Sequence, residues 1–109
     1  MFDWKKPTVE MLGRWQPWHD GHTELFKKAL KKTGQVCIMY RDVGGVHAGV
    51  EGQNDNPFQF EEVKKNIISG LAKHGYIEGK EYIVLKVPNI VDISYGRGVG
   101  YTFTEHDLG

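Results

Sequence analysis

Ten consecutive residues concentrate the chemistry this chain has to offer: Gly13-Arg14-Trp15-Gln16-Pro17-Trp18-His19-Asp20-Gly21-His22. They include a fixed cation in Arg14, an amide in Gln16, and two imidazoles flanking Gly21, a residue that permits close backbone approach. Before them, Thr8-Val9-Glu10-Met11-Leu12 reads as a strand. After them, Thr23 to Leu30 has the apolar spacing of an amphipathic helix. The stretch therefore lies at a strand-to-helix turn. Such a turn directs unpaired N–H groups and the positive end of the helix dipole beyond the strand's carboxyl end, where a phosphate is the natural occupant. A bare His-x-Gly-His is equally compatible with capping or packing. Its junction with Gly-Arg-aromatic-Gln-Pro is what points to phosphate handling.

The elements that must position this turn alternate. The pattern predicts a strand over residues 8 to 15, a helix over 21 to 32 closed by Gly34, and a strand over 35 to 40. A helix follows over 59 to 73, with Phe60, Val63, Ile67, Ile68 and Leu71 on one face, and then the strand Tyr82 to Val87. The second strand is apolar throughout, as expected when helices cover both faces of a parallel sheet. This order predicts a small three-layer, Rossmann-like α/β fold with a mostly parallel sheet, formed as a single domain over residues 1 to 109. Ligands in such sheets bind at the carboxyl ends of the strands, so the segments after residues 15, 40 and 87 should converge.

Two other segments feed that cleft. Arg41-Asp42 directly follows the second strand, and the glycine-rich connection from Arg41 to Pro57 is long for a small domain, reading either as an active-site flap or as a surface loop. Ser94-Tyr95-Gly96-Arg97-Gly98-Val99-Gly100 combines a hydroxyl, glycines and a cation, which suits either a loop closing over phosphates or a plain glycine-rich turn.

Composition narrows the classes. The chain has 109 residues, 39% hydrophobic and 26% charged, with a formal net charge of zero. It can bury one modest core, and neither disorder nor a polybasic nucleic-acid surface is indicated. Attraction for anions must come from local placement of Arg14, His19, His22 and Arg97. No apolar run approaches a membrane span, and residues 1 to 6 lack a signal-peptide core, so the expectation is a cytoplasmic protein acting away from membranes. Cys37, the only cysteine, sits within an apolar strand and reads as core. A small chain rich in aromatics could also cover apolar surface as a homo-oligomer.

With these residues in view, the sequence resembles the nucleotidylyltransferases that carry a His-x-Gly-His signature. Within them it is most similar to the nicotinamide-mononucleotide adenylyltransferases, whose opening is Gly-Arg-Phe-Gln-Pro-x-His-x-Gly-His. Trp15 stands in place of the Phe. Asn56-Pro57-Phe58, Val87-Pro88-Asn89-Ile90 and Ile93-Ser94-Tyr95-Gly96-Arg97 fall in the family's order, so the likeness covers roughly residues 8 to 100. The resemblance implies nucleotidyl transfer: a small phosphate-bearing acceptor attacks the α-phosphate of a nucleoside triphosphate, ATP in preference to CTP, with magnesium carried by the nucleotide, and pyrophosphate leaves.

On that basis His19, His22 and Arg97 are the expected catalytic residues. Gly13, Arg14, Trp15, Gln16, Gly21, Ser94 and Gly96 are expected at the nucleotide and its phosphates, and Trp18, Arg41, Asp42, Asn56 and Phe58 at the acceptor, with no protein-held metal. Trp15 also reads as packing, whereas Trp18 is the better ring-stacking candidate. Departures from the family point to a different acceptor: Asp20 replaces a common Lys and reads as the helix cap, and the Gly-Glu-Arg that follows Asn-Pro-Phe in those relatives is missing. Two other classes stay open, a nucleotide-binding module without turnover and a metal-binding protein using His19 and His22.

Overall fold

The computed structural model describes residues 1–42, 58–96 and 102–104. Asn56, Arg97 and the connection from residue 43 to 57, expected as flap and site residues, lie outside the described residues. Five elements alternate as β1 (Val9–Gly13), α1 (Asp20–Thr33), β2 (Val36–Arg41), α2 (Phe60–Ala72) and β3 (Tyr82–Val87). The third strand is the one expected, and the others differ from expectation only at their ends. The first strand stops at Gly13 rather than residue 15 because Trp15 takes a left-handed backbone, φ 52°, that no strand can continue.

The sheet has three strands in the order β1-β2-β3, and both pairings are parallel. This α/β arrangement is consistent with the Rossmann-like fold expected from the sequence. In register, Met11, Ile38 and Val84 align across the three strands, as do Gly13, Tyr40 and Lys86. Side chains alternate sides along a strand, so Val36, Ile38, Tyr40, Tyr82 and Val84 share one face and are buried. Phe26 of α1 meets Tyr82 edge-on at 5.6 Å, while Phe60 of α2 meets Tyr40 at 5.5 Å. Both described helices therefore pack on this one face, where Phe26, Ala29, Val63, Ile67 and Leu71 complete a single core. Full burial of such a side chain stabilises by roughly 1.5–3 kcal/mol. The opposite face carries Leu12, Cys37, Met39, Ile83 and Leu85. Cys37 is buried there as expected, and burial together with the nearby Glu10 carboxylate raises its thiol pKa, which makes it a poor nucleophile.

Helix ends follow from local chemistry. Gly34 takes φ 88° and its N–H donates to the Leu30 carbonyl at 2.8 Å, closing α1 beside Lys31 and Lys32 in the last turn. Gly70, inside α2, has a packing reason. A Cβ there would come within 3.1 Å of the Trp18 ring, so the glycine lets the turn before α1 sit against α2. Gln35 is buried, and its amide donates to Asp3 O at 2.7 Å and Thr8 Oγ1 at 2.7 Å, fastening the amino-terminal segment to the foot of the sheet. Among the described residues no helix is long and apolar enough to cross a membrane.

Candidate functional site

The turn between β1 and α1 is held by its own side chains. The Trp15 ring folds back over Gly13, where a Cβ would come within 2.8–2.9 Å of the indole. The Trp15 Nε1–H donates to the Met39 carbonyl at 3.0 Å, tying the turn to β2. The Gln16–Pro17 peptide bond is cis. Gln16 clamps the far side: its Nε2–H donates to Phe58 O at 2.9 Å and its Oε1 accepts from Phe58 N–H at 2.9 Å. Through these two bonds Gln16 joins the turn to the start of α2, and one amide N–H is left over. Phe58 packs its ring against the core and offers its backbone to Gln16.

Trp18 lies beneath the same turn. It is only 8% exposed, and its Nε1–H donates to Thr23 Oγ1 at 2.9 Å. Its ring meets Trp15 at 5.1 Å and His22 at 5.4 Å, both tilted, so it packs with the core. Trp15 is likewise buried, in keeping with its packing role.

The two histidines start the helix. His19, with φ −139° and ψ −179°, is the N-cap, and Asp20, expected there, is instead the first helical residue, its carboxylate in the positive first turn. His19 Nδ1 accepts from Gly21 N–H at 3.0 Å, and His22 Nδ1 accepts from His19 N–H at 3.2 Å. This is a capping box built from imidazoles. Gly21 is required by it, because a Cβ would lie 2.8 Å from the His19 ring. Gly21 N–H, expected at the phosphates, has the His19 ring as its partner in this turn.

Two acceptor nitrogens fix two tautomers. A neutral imidazole has one N–H, so when Nδ1 accepts, the proton sits on Nε2. The rings stack at 3.7 Å with 23° between planes, and Trp15 meets His22 edge-on at 4.9 Å. Burial, and secondly the charge of His19, lower the His22 pKa from 6.5 to about 4. At neutral pH the pair thus keeps Nε2–H donors, and His22 is uncharged.

That shift has a testable sign. Between pH about 4 and 6.5 the unfolded chain binds a proton at His22 that the folded chain does not, so the stability held above pH 6.5 falls as pH drops toward 4. Thermal melts from pH 4 to 7 should show a steeper loss in the natural chain than in His22→Asn, which keeps an acceptor near Nδ1 but cannot titrate. Equal slopes would remove His22 from the linkage.

The remaining expected residues are distributed unevenly. Arg14 is exposed on the turn, directly after β1. Arg41 ends β2 and Asp42 follows it, both on the carboxyl edge beside Val87. Asp42 also pairs with Lys86 at 3.6 Å, a residue that sequence reasoning passed over although its position near the end of β3 marked it. Thr23 was likewise missed, and the register of the helix alone does not reveal its bond to Trp18. Ser94 Oγ donates to Asp92 Oδ2 at 2.6 Å, while Ile93 and Tyr95 line a groove of about 830 Å³ with residues of β1, α1 and Phe103.

A parallel α/β sheet with a histidine-capped strand–turn–helix at its carboxyl edge is a fold and site suited to anionic ligands. In sequence the chain is similar to the nicotinamide-nucleotide adenylyltransferase of Methanococcus aeolicus, at 28% identity over 81 residues, 73% of this chain. It spans 41% of that relative's length. No family model matches the chain. The distant likeness supports the nucleotidyltransferase superfamily.

Proposed function

We propose that this chain carries the phosphate-handling part of a nucleotidyltransferase that moves a nucleoside monophosphate, AMP in preference to CMP, from its triphosphate to a small phosphate-bearing acceptor. The observation carrying this reading is the stacked pair His19 and His22, whose Nδ1 atoms are spent on the helix cap and whose Nε2–H groups are left to donate. The relative's name supports it.

In the transfer, an acceptor oxygen forms a bond to the α-phosphorus as the bond from that phosphorus to the bridging oxygen breaks. Pyrophosphate then departs with the electron pair. No protein nucleophile is required, so the protein's task is to position two anions and stabilise charge on the transferring group and the leaving oxygen. His22 and His19 would donate to the triphosphate. A polyphosphate beside His22 favours its charged form, so binding below neutrality draws a proton onto the ring and neutralises part of the leaving group's charge. Magnesium enters with the nucleotide as its counter-ion. Arg14, exposed at the end of β1, and Arg97 are assigned to the phosphates on sequence grounds.

The second reading, a binding module without turnover, draws on Asp20, whose carboxylate stands in the first turn beside the pair. One assay separates the two: pyrophosphate release with magnesium, supplying ATP and CTP separately against a panel of small phosphate acceptors. Release that requires both a triphosphate and an acceptor is the expected result. Triphosphate binding without release against the whole panel would favour the module, and no triphosphate binding would discard both readings.

A further inference from the structure

Strand β1 pairs on one side only, with β2. The Val9 N–H donates to Gln35 O at 3.2 Å, so in this parallel register Val9, Met11 and Gly13 turn their backbone groups toward β2. The N–H and C=O of Glu10 and Leu12 turn the other way, to the open side of the sheet, where no described residue bonds them. A row of unpaired donors and acceptors at a sheet edge is a template for another strand. Along this edge runs the groove of about 830 Å³, lined also by Leu25 and Ala29 of α1 and by Ile93, Tyr95 and Phe103.

The segment after β3 has the form of a strand. Val91, Ile93 and Tyr95 alternate with Asp92 and Ser94, the period of an extended chain with one apolar side. Ser94 Oγ donates to Asp92 Oδ2 at 2.6 Å, which sets the two polar side chains on the same side of the backbone. Val91, Ile93 and Tyr95 are 84%, 51% and 55% exposed, apolar area that the groove could cover. Tyr95 stacks on Phe103 at 5.4 Å with 28° between planes, so Phe103 is carried with the segment. Its direction follows from reach. Arg41 Nη1 donates to Ile90 O at 3.5 Å, which holds residue 90 at the carboxyl end of the sheet. Three further residues span at most about 10 Å, less than the roughly 16 Å length of the five-residue β1. The segment therefore enters the groove at its carboxyl end and runs antiparallel to β1.

We infer that residues 91–95 are a strap that adds to the free edge of β1 as a fourth, antiparallel strand, filling the groove. Closure gives the backbone groups of Glu10 and Leu12 their partners and moves the three apolar side chains from water against α1. It also covers an edge on which a second copy could otherwise pair. Closure requires no ligand and stands apart from the proposed transfer reaction.

Amide hydrogen exchange of the ligand-free chain, followed residue by residue by NMR, tests the strap. Glu10 and Leu12 N–H should exchange at least tenfold more slowly than in an unstructured peptide, which corresponds to a closed form about ten times as populated as the open one. Ile93→Pro combined with Ser94→Pro removes one donor of each parity from the strap. It should return both amides to within about twofold of the peptide rate, while Met11, bonded to β2, stays protected. Ile93→Asp keeps the backbone but sets a carboxylate against α1, and should weaken the protection at least threefold. Peptide-like rates at Glu10 and Leu12 in the natural chain overturn the strap. So does protection that survives the two prolines, and so does protection that rises with protein concentration, which marks a second copy on the same edge. If the proline chain loses Met11 protection as well, Ile93→Asp decides, and unchanged exchange at Glu10 and Leu12 in that variant overturns the strap.

Discussion

His22→Ala should lower turnover in the pyrophosphate-release assay by about a hundredfold to a thousandfold, the usual consequence of removing one preorganised donor to a developing oxyanion. The same substitution removes an acceptor from the helix start, which costs about 1 kcal/mol of stability. The two losses can be separated, because they belong to opposite edges of the ring. Asn at position 22 places an acceptor where Nδ1 sits and can restore the bond from His19 N–H, yet it does not reach outward to the Nε2 position. Gln reaches that position with an N–H donor and abandons the cap. Asn should therefore recover melting temperature without turnover, and Gln should recover part of the turnover without melting temperature. If Ala, Asn and Gln lower both measures together, the ring acts only through folding and the catalytic assignment fails.

The largest effect on stability is expected at Phe26. It is fully buried on α1, with Tyr76 edge-on at 5.1 Å and Tyr82 edge-on at 5.6 Å, and it bridges α1 to the sheet. Phe26→Ala removes the ring from between two other rings that are themselves fixed. Tyr82 cannot move to refill the space, since it belongs to a paired strand. The cost should fall near 3–5 kcal/mol. A domain of this size commonly holds only about 5–15 kcal/mol in total. Chemical denaturation should show the midpoint falling sharply, and thermal unfolding a drop of more than about 10 °C. Phe26→Leu should lose far less. A loss below about 1 kcal/mol for Ala would mean that the α1-to-sheet contact contributes little to the core.

What the sequence disclosed and what it withheld divide along the range of the interactions. The spacing of Val63, Ile67 and Leu71 placed α2, and Gly34 marked the end of α1, because both signals are local. Tyr82 to Val87 was readable as a strand from its own residues. The role of Trp18 was not, because its burial depends on Gly70, a residue of another helix, and on Thr23. The bonds of Gln16 were hidden for a related reason: its partner Phe58 lies 42 residues away, and only the folded chain brings the two together. The cap was misplaced one residue along, since capping preference favours Asp20 over His19, and a histidine caps only when its tautomer presents a bare Nδ1. The helices' shared face follows from strand order, which alternation of elements does not specify. Arg41 and Asp42 were placed at the cleft edge by their position after β2.

The imidazole capping box gives the helix start a pair of internal clocks. The amide protons of His19 and Gly21 are each shielded by the other histidine's or their own neighbour's ring nitrogen. Rotation of the His22 ring bares the first, and rotation of the His19 ring bares the second. Their deuterium uptake therefore reads the open population of each ring's bond separately, through local opening rather than global unfolding. A ligand gripping the outer edges would slow both clocks at once, whereas one engaging a single ring would slow only its own.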